Sequence, residues 1–369
     1  MTCPEAVPNE ALEISLCGPE ERAEQAGLFN GCFKKSVDAA ALAWRYDKNP
    51  HGTSVSLVSR PPGGRGVSGY ACSPRLALPA GDETQAALIG QTGDVCTDPK
   101  WRKRGIFSGL DARCMEETGK LGWPVVFGLP NRHSAHIFLE LGWERVGSLR
   151  TWTLFLEGGR EARALFMGEG RLKSWLAPLG VRAWLRAKIR LRKEAAGRFG
   201  VRGLKLFPKT CEDLSRAVEA DFALMVRRDA AYLNWRFMEN PSGLHRALGV
   251  YDRENRFAGY AVVQLPSRVG GVGYLVDLLA PDAAARATLL EGAMASLTTA
   301  GATLVRATAV DGSWWNEILR SVGFQPPQKS HYLSVILYTH DASHPLARAA
   351  RDPSRWYLTD GDRDDETMG

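Results

Sequence analysis

One pattern in this chain occurs twice. Leu42-Ala43-Trp44-Arg45-Tyr46-Asp47-Lys48-Asn49-Pro50 is answered by Leu233-Asn234-Trp235-Arg236-Phe237-Met238-Glu239-Asn240-Pro241, and Gly52 by Gly243. Further matches keep the same order. Gly69-Tyr70-Ala71 answers Gly259-Tyr260-Ala261, Asp94-Val95 answers Asp277-Leu278, and Gly142-Trp143 answers Gly323-Phe324. Self-similarity at the length of a domain argues for two copies of one fold. The 369 residues suffice for two domains of ordinary size. Trp44 and Trp235 are expected to cap the core beneath a short helix. Arg45 and Arg236 are expected to tie down carbonyls or a carboxylate; their presence in both copies favours that structural role over lining a cleft.

The first copy holds a strand-turn-helix unit with unusual chemistry. The apolar run Ala86 to Ile89 leads into Gly93-Asp94-Val95-Cys96-Thr97. Next come Pro99-Lys100-Trp101-Arg102-Lys103-Arg104-Gly105 and a helical pattern from Ser108 to Lys120. Such a turn aims backbone N–H groups and the positive end of a helix dipole at one spot, which suits a diphosphate. Arg102, Lys103 and Arg104 add cations there, and Gly105 permits close backbone approach. A second strand, Val125 to Leu129, then ends at Pro130-Asn131. A helix from Ser134 to Leu141 closes at Gly142-Trp143, and a final strand runs from Ser148 to Leu156.

This layout resembles the GNAT superfamily of acyl-CoA-dependent N-acyltransferases over roughly residues 12–157. The family signature, Gln/Arg-x-x-Gly-x-Gly/Ala, is met by Arg102-Lys103-Arg104-Gly105-Ile106-Phe107, with Phe107 in the last small-residue place. A later pattern is met by Asn131, Ser134, Ile137, Phe138, Gly142 and Trp143. The resemblance implies an α/β fold of α+β type: two GNAT-like domains, each a mixed, mainly antiparallel sheet flanked by helices. It also implies that Arg102 to Ser108, Ile106 and Phe107 included, hold acetyl-CoA or another acyl-CoA by its diphosphate. Backbone groups of Val95, Cys96 and Thr97 would pair with the pantetheine arm and receive the oxyanion, and Asn131 would hold the arm's other side. Cys96 itself reads as a small core residue rather than a nucleophile. The family often places a tyrosine seven residues after the asparagine to protonate the leaving thiolate; Phe138 stands there and cannot. The candidate bases are Asp94, His133 and His136, against capping, surface or hydrogen-bonding roles for each.

The second copy departs from the first at the critical turn. Ala280-Pro281-Asp282-Ala283-Ala284-Ala285-Arg286 replaces the basic loop, and Asp282 would repel a diphosphate. Val310-Asp311-Gly312 replaces Leu129-Pro130-Asn131. The acyl-CoA site is therefore assigned to the first copy, and the second shapes an acceptor site or holds the fold together.

The expected organisation is a GNAT domain over 1–157, a basic helical linker over 158–206, a degenerate GNAT-like domain over 207–342, and a polar tail over 343–369. The linker holds thirteen Lys or Arg and three Glu, a net +10 against +6 for the whole chain. It reads as a basic amphipathic helix or pair of helices, packing across the two domains or contacting a membrane surface peripherally. Nothing resembles a nucleic-acid recognition motif. The acidic stretch Asp360 to Glu366 is expected to be disordered. No apolar run approaches the ~18 residues of a membrane-spanning helix, no signal-like segment opens the chain, and seven scattered cysteines suit neither a disulfide scaffold nor a metal site. A cytoplasmic N-acyltransferase acting on a small-molecule amine, such as an amino sugar or amino acid, is the leading expectation. The alternatives are a Fem-type aminoacyl transferase acting on a cell-wall precursor and a non-catalytic acyl-CoA-binding protein.

Overall fold

The computed structural model describes residues 12–33, 36–80, 82–156, 197–325 and 332–363. The first half runs through β1 (Glu13–Leu16), α1 (Arg22–Phe33), α2 (Ala39–Asp47), β2 (Val55–Arg60), β3 (Ser68–Pro79), β4 (Ala87–Thr97), α3 (Ile106–Lys120), β5 (Val125–Gly128), α4 (Arg132–Glu140) and β6 (Glu144–Phe155). The second runs through β7 (Gly200–Leu204), α5 (Cys211–Glu219), β8 (Leu224–Val226), α6 (Ala230–Leu233), β9 (His245–Tyr251), β10 (Phe257–Gln264) and β11 (Val272–Leu279). It continues with α7 (Ala283–Thr299), β12 (Leu304–Val310), α8 (Trp314–Val322) and β13 (Leu333–Thr339), and closes with α9 (Pro345–Ala349) and β14 (Trp356–Tyr357).

All these strands belong to one mixed sheet. Its main path is β1-β2-β3-β4-β5-β13-β6-β12-β11-β10-β9-β7, with β8 pairing β3 and β14. The halves exchange their last strands: β13 pairs with β5 of the first half, and β6 pairs with β12 of the second. The exchanged strands also pair with each other, antiparallel, at the centre. Helices α3, α4, α7 and α8 cover one face, over cores built around Leu110, Phe138 and Trp143 in the first half and Leu289, Trp315 and Phe324 in the second. Helices α1, α2, α5, α6 and α9 cover the other.

The duplicated Trp-Arg motif meets itself across the pseudo-twofold axis. The Trp44 and Trp235 rings stack with centroids 5.0 Å apart. Each indole N–H donates to the other residue's carbonyl, Trp44 Nε1 to Trp235 O at 3.1 Å and Trp235 Nε1 to Trp44 O at 3.0 Å. This is a self-complementary contact of the kind a symmetric dimer makes, here within one chain. Gly142 and Gly323 end α4 and α8 at φ of 92° and 100°, and Trp143 and Phe324 then enter matching cores. The Gly-Tyr-Ala match, however, is out of register by one residue. Tyr70 packs on the α3 face and Tyr260 on the α5–α6 face, because a one-residue slip turns a strand side chain over. The spacing that relates Trp44 to Trp235 puts Tyr260 where the first half has Gly69.

Two expectations need correction. Helical structure does not extend through 206: Gly200–Leu204 is an edge strand paired with β9, while residues 158–196 of the basic stretch lie outside the described residues. The acidic tail does not remain free at Asp360 to Arg363. Asp360 and Asp362 are buried, because Arg228 and Thr308 supply the charge and donors that make their burial tolerable. Residues 364–369 lie outside the described residues. Among those described, no helix is long and apolar enough to cross a membrane.

Candidate active site

Strands β4 and β5 run parallel and pair only at Gly90–Val126, Gln91–Phe127 and Thr92–Gly128. Beyond Thr92 they part, and the parting coincides with a bulge in β4. Ala71 faces Gly93 and Gly69 faces Cys96, so Asp94 and Val95 together oppose Tyr70. Asp94 takes the extra residue's conformation, at φ 52°. A bulge of this kind bends the strand and re-aims the groups that follow it.

Those groups are Val95, Cys96 and Thr97. The Cys96 side chain is buried and its carbonyl accepts from Ser68 Oγ at 2.8 Å. Thr97 Oγ1 lies 2.7 Å from the same hydroxyl, and its carbonyl accepts from Arg102 Nε at 3.2 Å. Asp98 caps a short 3-10 turn, Pro99–Trp101, through the Lys100 amide. Lys103 and Gly105 then adopt φ of 63° and 73°, and Gly105 is the N-cap of α3. Arg102, Lys103, Arg104 and Gly105 are exposed. Arg104 packs over the Trp101 ring at 4.8 Å and donates to Lys100 O. Gly105 provides no side-chain cap, and a Cβ there would meet nothing within 4 Å. The first amides of α3 have no acceptor in the helix itself. Unlike these neighbours, Ile106 turns inward and is buried; Ser108 is half-buried. Phe107 also turns toward the core, 5.0 Å edge-on from Phe138 and 6.2 Å from Tyr70. The core thus accommodates Phe107 where the signature has a small residue.

The corresponding helix of the second half is closed by its own chain. Asp282 caps α7, accepting from the Ala284 and Ala285 amides at 2.7 and 3.0 Å. Those amides hold its carboxyl below the usual range. The parting of β11 and β12, which pair only from Val272–Leu304 to Tyr274–Arg306, is bridged by the C-terminal segment. Asp360 accepts from the Thr308 amide at 2.6 Å and from the Thr308 hydroxyl. Thr359 donates to Asp277 at 3.0 Å, and Tyr357 donates to Leu278 O. Arg236, the partner of Arg45 in the repeat, holds this segment by the Gly361 and Arg363 carbonyls. Tyr260 donates to Asp277 at 3.1 Å, whereas Gly69, its positional equivalent, lines a cleft with Gln25, Phe29, Tyr46, Tyr70 and Asp94.

The domain family whose description reads "Acetyltransferase (GNAT) domain" matches residues 13–146. Over that stretch the chain is similar to a GNAT acetyltransferase domain. Solved structures extend the fold likeness over nearly all of the chain. A GCN5-related N-acetyltransferase from Anabaena variabilis is 12% identical, with a TM-score of 0.61 over 90% of this chain and 74% of that one. A tandem GNAT protein from the clavulanic acid biosynthesis pathway is 14% identical, with 0.55 over 90% of this chain and all of that one. N-myristoyltransferase of Saccharomyces cerevisiae, solved with myristoyl-CoA, is 12% identical, with 0.58 over 91% and 84%. No curated protein matches the chain in sequence. The matched stretch thus lies in the half that has the basic turn, and the second half repeats its fold.

The three candidate bases fall in different settings. Asp94 accepts from Arg45 Nη1 and, at 2.7 Å, from the Tyr46 hydroxyl. Its counterpart Asp277 is fully buried and paired with Arg228 at 3.1 Å. His136 is exposed on α4, and His133 lies in the same helix. Asn131 caps that helix, its Oδ1 accepting from the Ser134 amide at 3.2 Å. Phe138 is buried against Phe107 and Trp143. The Arg45–Asp94 link and the segment Thr359–Arg363 escape sequence reading, because neither partner set is local. The Trp-Arg repeat was the one signal pointing toward Arg45.

Proposed function

We propose that the chain transfers an acyl group, most simply acetyl, from acyl-CoA to the amine of a small molecule, using the first half alone as its acyl-CoA site. The contrast between α3 and α7 carries this reading. One helix start is a glycine-capped, tricationic turn; the other is sealed by Asp282. A diphosphate gains from the first and is repelled by the second. Arg102, Lys103 and Arg104, with the amides from Gly105 to Ser108, would hold the nucleotide end. Pantetheine would lie along β4 where it leaves β5, opposite Asn131.

Acyl transfer needs a neutral amine and a donor for the developing oxyanion. The bulged stretch Val95 to Thr97 supplies candidate amide donors. Phe138 offers no proton, which a thiolate tolerates better than an alkoxide would, since thiols are the stronger acids. His136 and His133, on α4 beside Asn131, are the candidate groups for taking the amine's proton.

Acetyl-CoA should raise the melting temperature by linkage, about 2.7 kcal/mol of added stability at a hundredfold excess over Kd. It should release free thiol when an amine panel contains the acceptor. No shift at millimolar CoA would favour the Fem-type aminoacyl transferase, which the basic stretch 158–206 would suit. Binding without thiol release across the panel would favour an acyl-CoA-binding protein. The acceptor class, a cytoplasmic location and a peripheral membrane contact through the basic stretch are parts of this proposal.

A further inference from the structure

Asp94 occupies a conformation that few side chains choose. Its φ of 52° lies in the left-handed region, where the class of bulge that uses it places glycine. Asp and Asn are among the residues that tolerate it, at a cost of roughly 1–2 kcal/mol. Something must hold it there, and two consecutive residues of α2 do so. Arg45 Nη1 and the Tyr46 hydroxyl both donate to Asp94 Oδ2. Arg45 is buried and lies over the Phe29 ring at 5.7 Å.

Helix α2 is itself fixed at both sides of this pair. Trp44 is locked to Trp235 across the pseudo-twofold axis. Asp47 accepts from Arg22 through two nitrogens, at 3.0 and 2.5 Å. The second half supplies the contrast. Asp277 stays in the ladder opposite Val262, and the extra residue of the bulge there is Val276; both keep a negative φ. The Asp277 carboxylate answers to Arg228 and to the C-terminal segment instead of to the repeat's arginine. The anchored left-handed bulge therefore accompanies the half with the open helix start.

We infer that Arg45 and Asp94 are positioning residues: the pair pins the β4 bulge so that the backbone from Val95 to Thr97 is held in its acyl-receiving arrangement, and Asp94 is not the base. This rests on the acyltransferase reading above for its kinetic consequence, but not for the bulge itself.

Four variants test it: Asp94→Asn, Asp94→Ala, Arg45→Met and the double variant Arg45→Met/Asp94→Gly. Asn tolerates a positive φ and keeps an acceptor for Arg45, yet cannot take a proton. Asp94→Asn should therefore lose no more than about threefold in kcat and keep the acid limb of the pH–rate profile. Asp94→Ala and Arg45→Met should each lose at least tenfold in kcat, with acetyl-CoA Kd by calorimetry changed less than about threefold. Glycine should recover most of the Arg45→Met loss, because it needs no anchor at that φ. An Asn variant that falls as far as Ala and loses its acid limb would make Asp94 the base and overturn the inference. So would wild-type kcat in Asp94→Ala, or no recovery in the double variant. Should the wild-type chain bind no acetyl-CoA, the acyltransferase reading falls, and the bulge is then judged by amide hydrogen exchange over 93–97. Faster exchange in Asp94→Ala but not in Asp94→Asn supports the pin; equal exchange in both refutes it.

Discussion

Replacing Gly105 by aspartate should weaken acyl-CoA binding by an amount that salt can titrate. The position is exposed, and an added Cβ meets no protein atom within 4 Å, so the fold itself bears little. The positive φ of 73° adds roughly 1–2 kcal/mol of backbone strain for alanine and somewhat less for aspartate, which favours the aspartate variant if anything. The remaining difference between the two variants is charge. Two phosphate charges about 5 Å from the new carboxylate, in a water-like dielectric, give about 1.7 kcal/mol of repulsion. That is about 20-fold in Kd at low ionic strength, about fivefold at 0.15 M, and under twofold at 1 M, as the Debye length shrinks. The assay is calorimetric titration of CoA into Gly105→Ala and Gly105→Asp across that salt range. Equal affinities for the two variants at low salt would refute the placement of the diphosphate at this turn.

Other outcomes follow from the same geometry. Trp44→Ala and Trp235→Ala should each cost about 3–5 kcal/mol in urea unfolding, as buried tryptophan truncations do. Each removes the same stacked, doubly hydrogen-bonded contact, so the double variant should cost at least 1 kcal/mol less than the sum; strict additivity would deny the contact. Burial, with help from the Arg236 charge, pulls His245 down to about 3. A depressed value means the folded state favours neutral imidazole. That stability is present above the unfolded value of about 6.5 and is lost as pH falls from there toward 3, at up to about 1.4 kcal/mol per pH unit. His245→Gln should flatten that slope between pH 6.5 and 4, and an unchanged slope would assign it elsewhere. His51 and His340 are lowered by burial in the same direction, and carboxylates held down by their partners, such as Glu24 by Arg60 and Asp282 by the Ala285 amide, add to the acid sensitivity that remains.

Much of the site is written locally and could be read so. The basic turn, its glycine and the helix it opens are contiguous, and their local chemistry suffices to place them. The Trp-Arg repeat was legible as structural because it recurs in the half without the turn, and Arg236 indeed holds carbonyls while Arg45 holds a carboxylate. Long-range placement was not legible. Nothing in β6 or β13 alone says that each joins the other half's sheet, because the mixed pattern of β6 and the short apolar run of β13 would fit either half. Asp360 and Asp362 read as solvated acids; only folding brings Arg228 and Thr308 to them. The Gly-Tyr-Ala match misled for a related reason, since a one-residue slip leaves the letters similar and inverts the face.

The proposed acyl-CoA site is single, in a chain that carries the fold twice. Isothermal titration of acetyl-CoA into the full chain measures this directly through its stoichiometry. One molecule per chain, lost on charge reversal of Arg102 and Lys103 and kept when Arg286 is reversed, is the predicted result. Two per chain, or one that survives the first reversal and vanishes with the second, would contradict it.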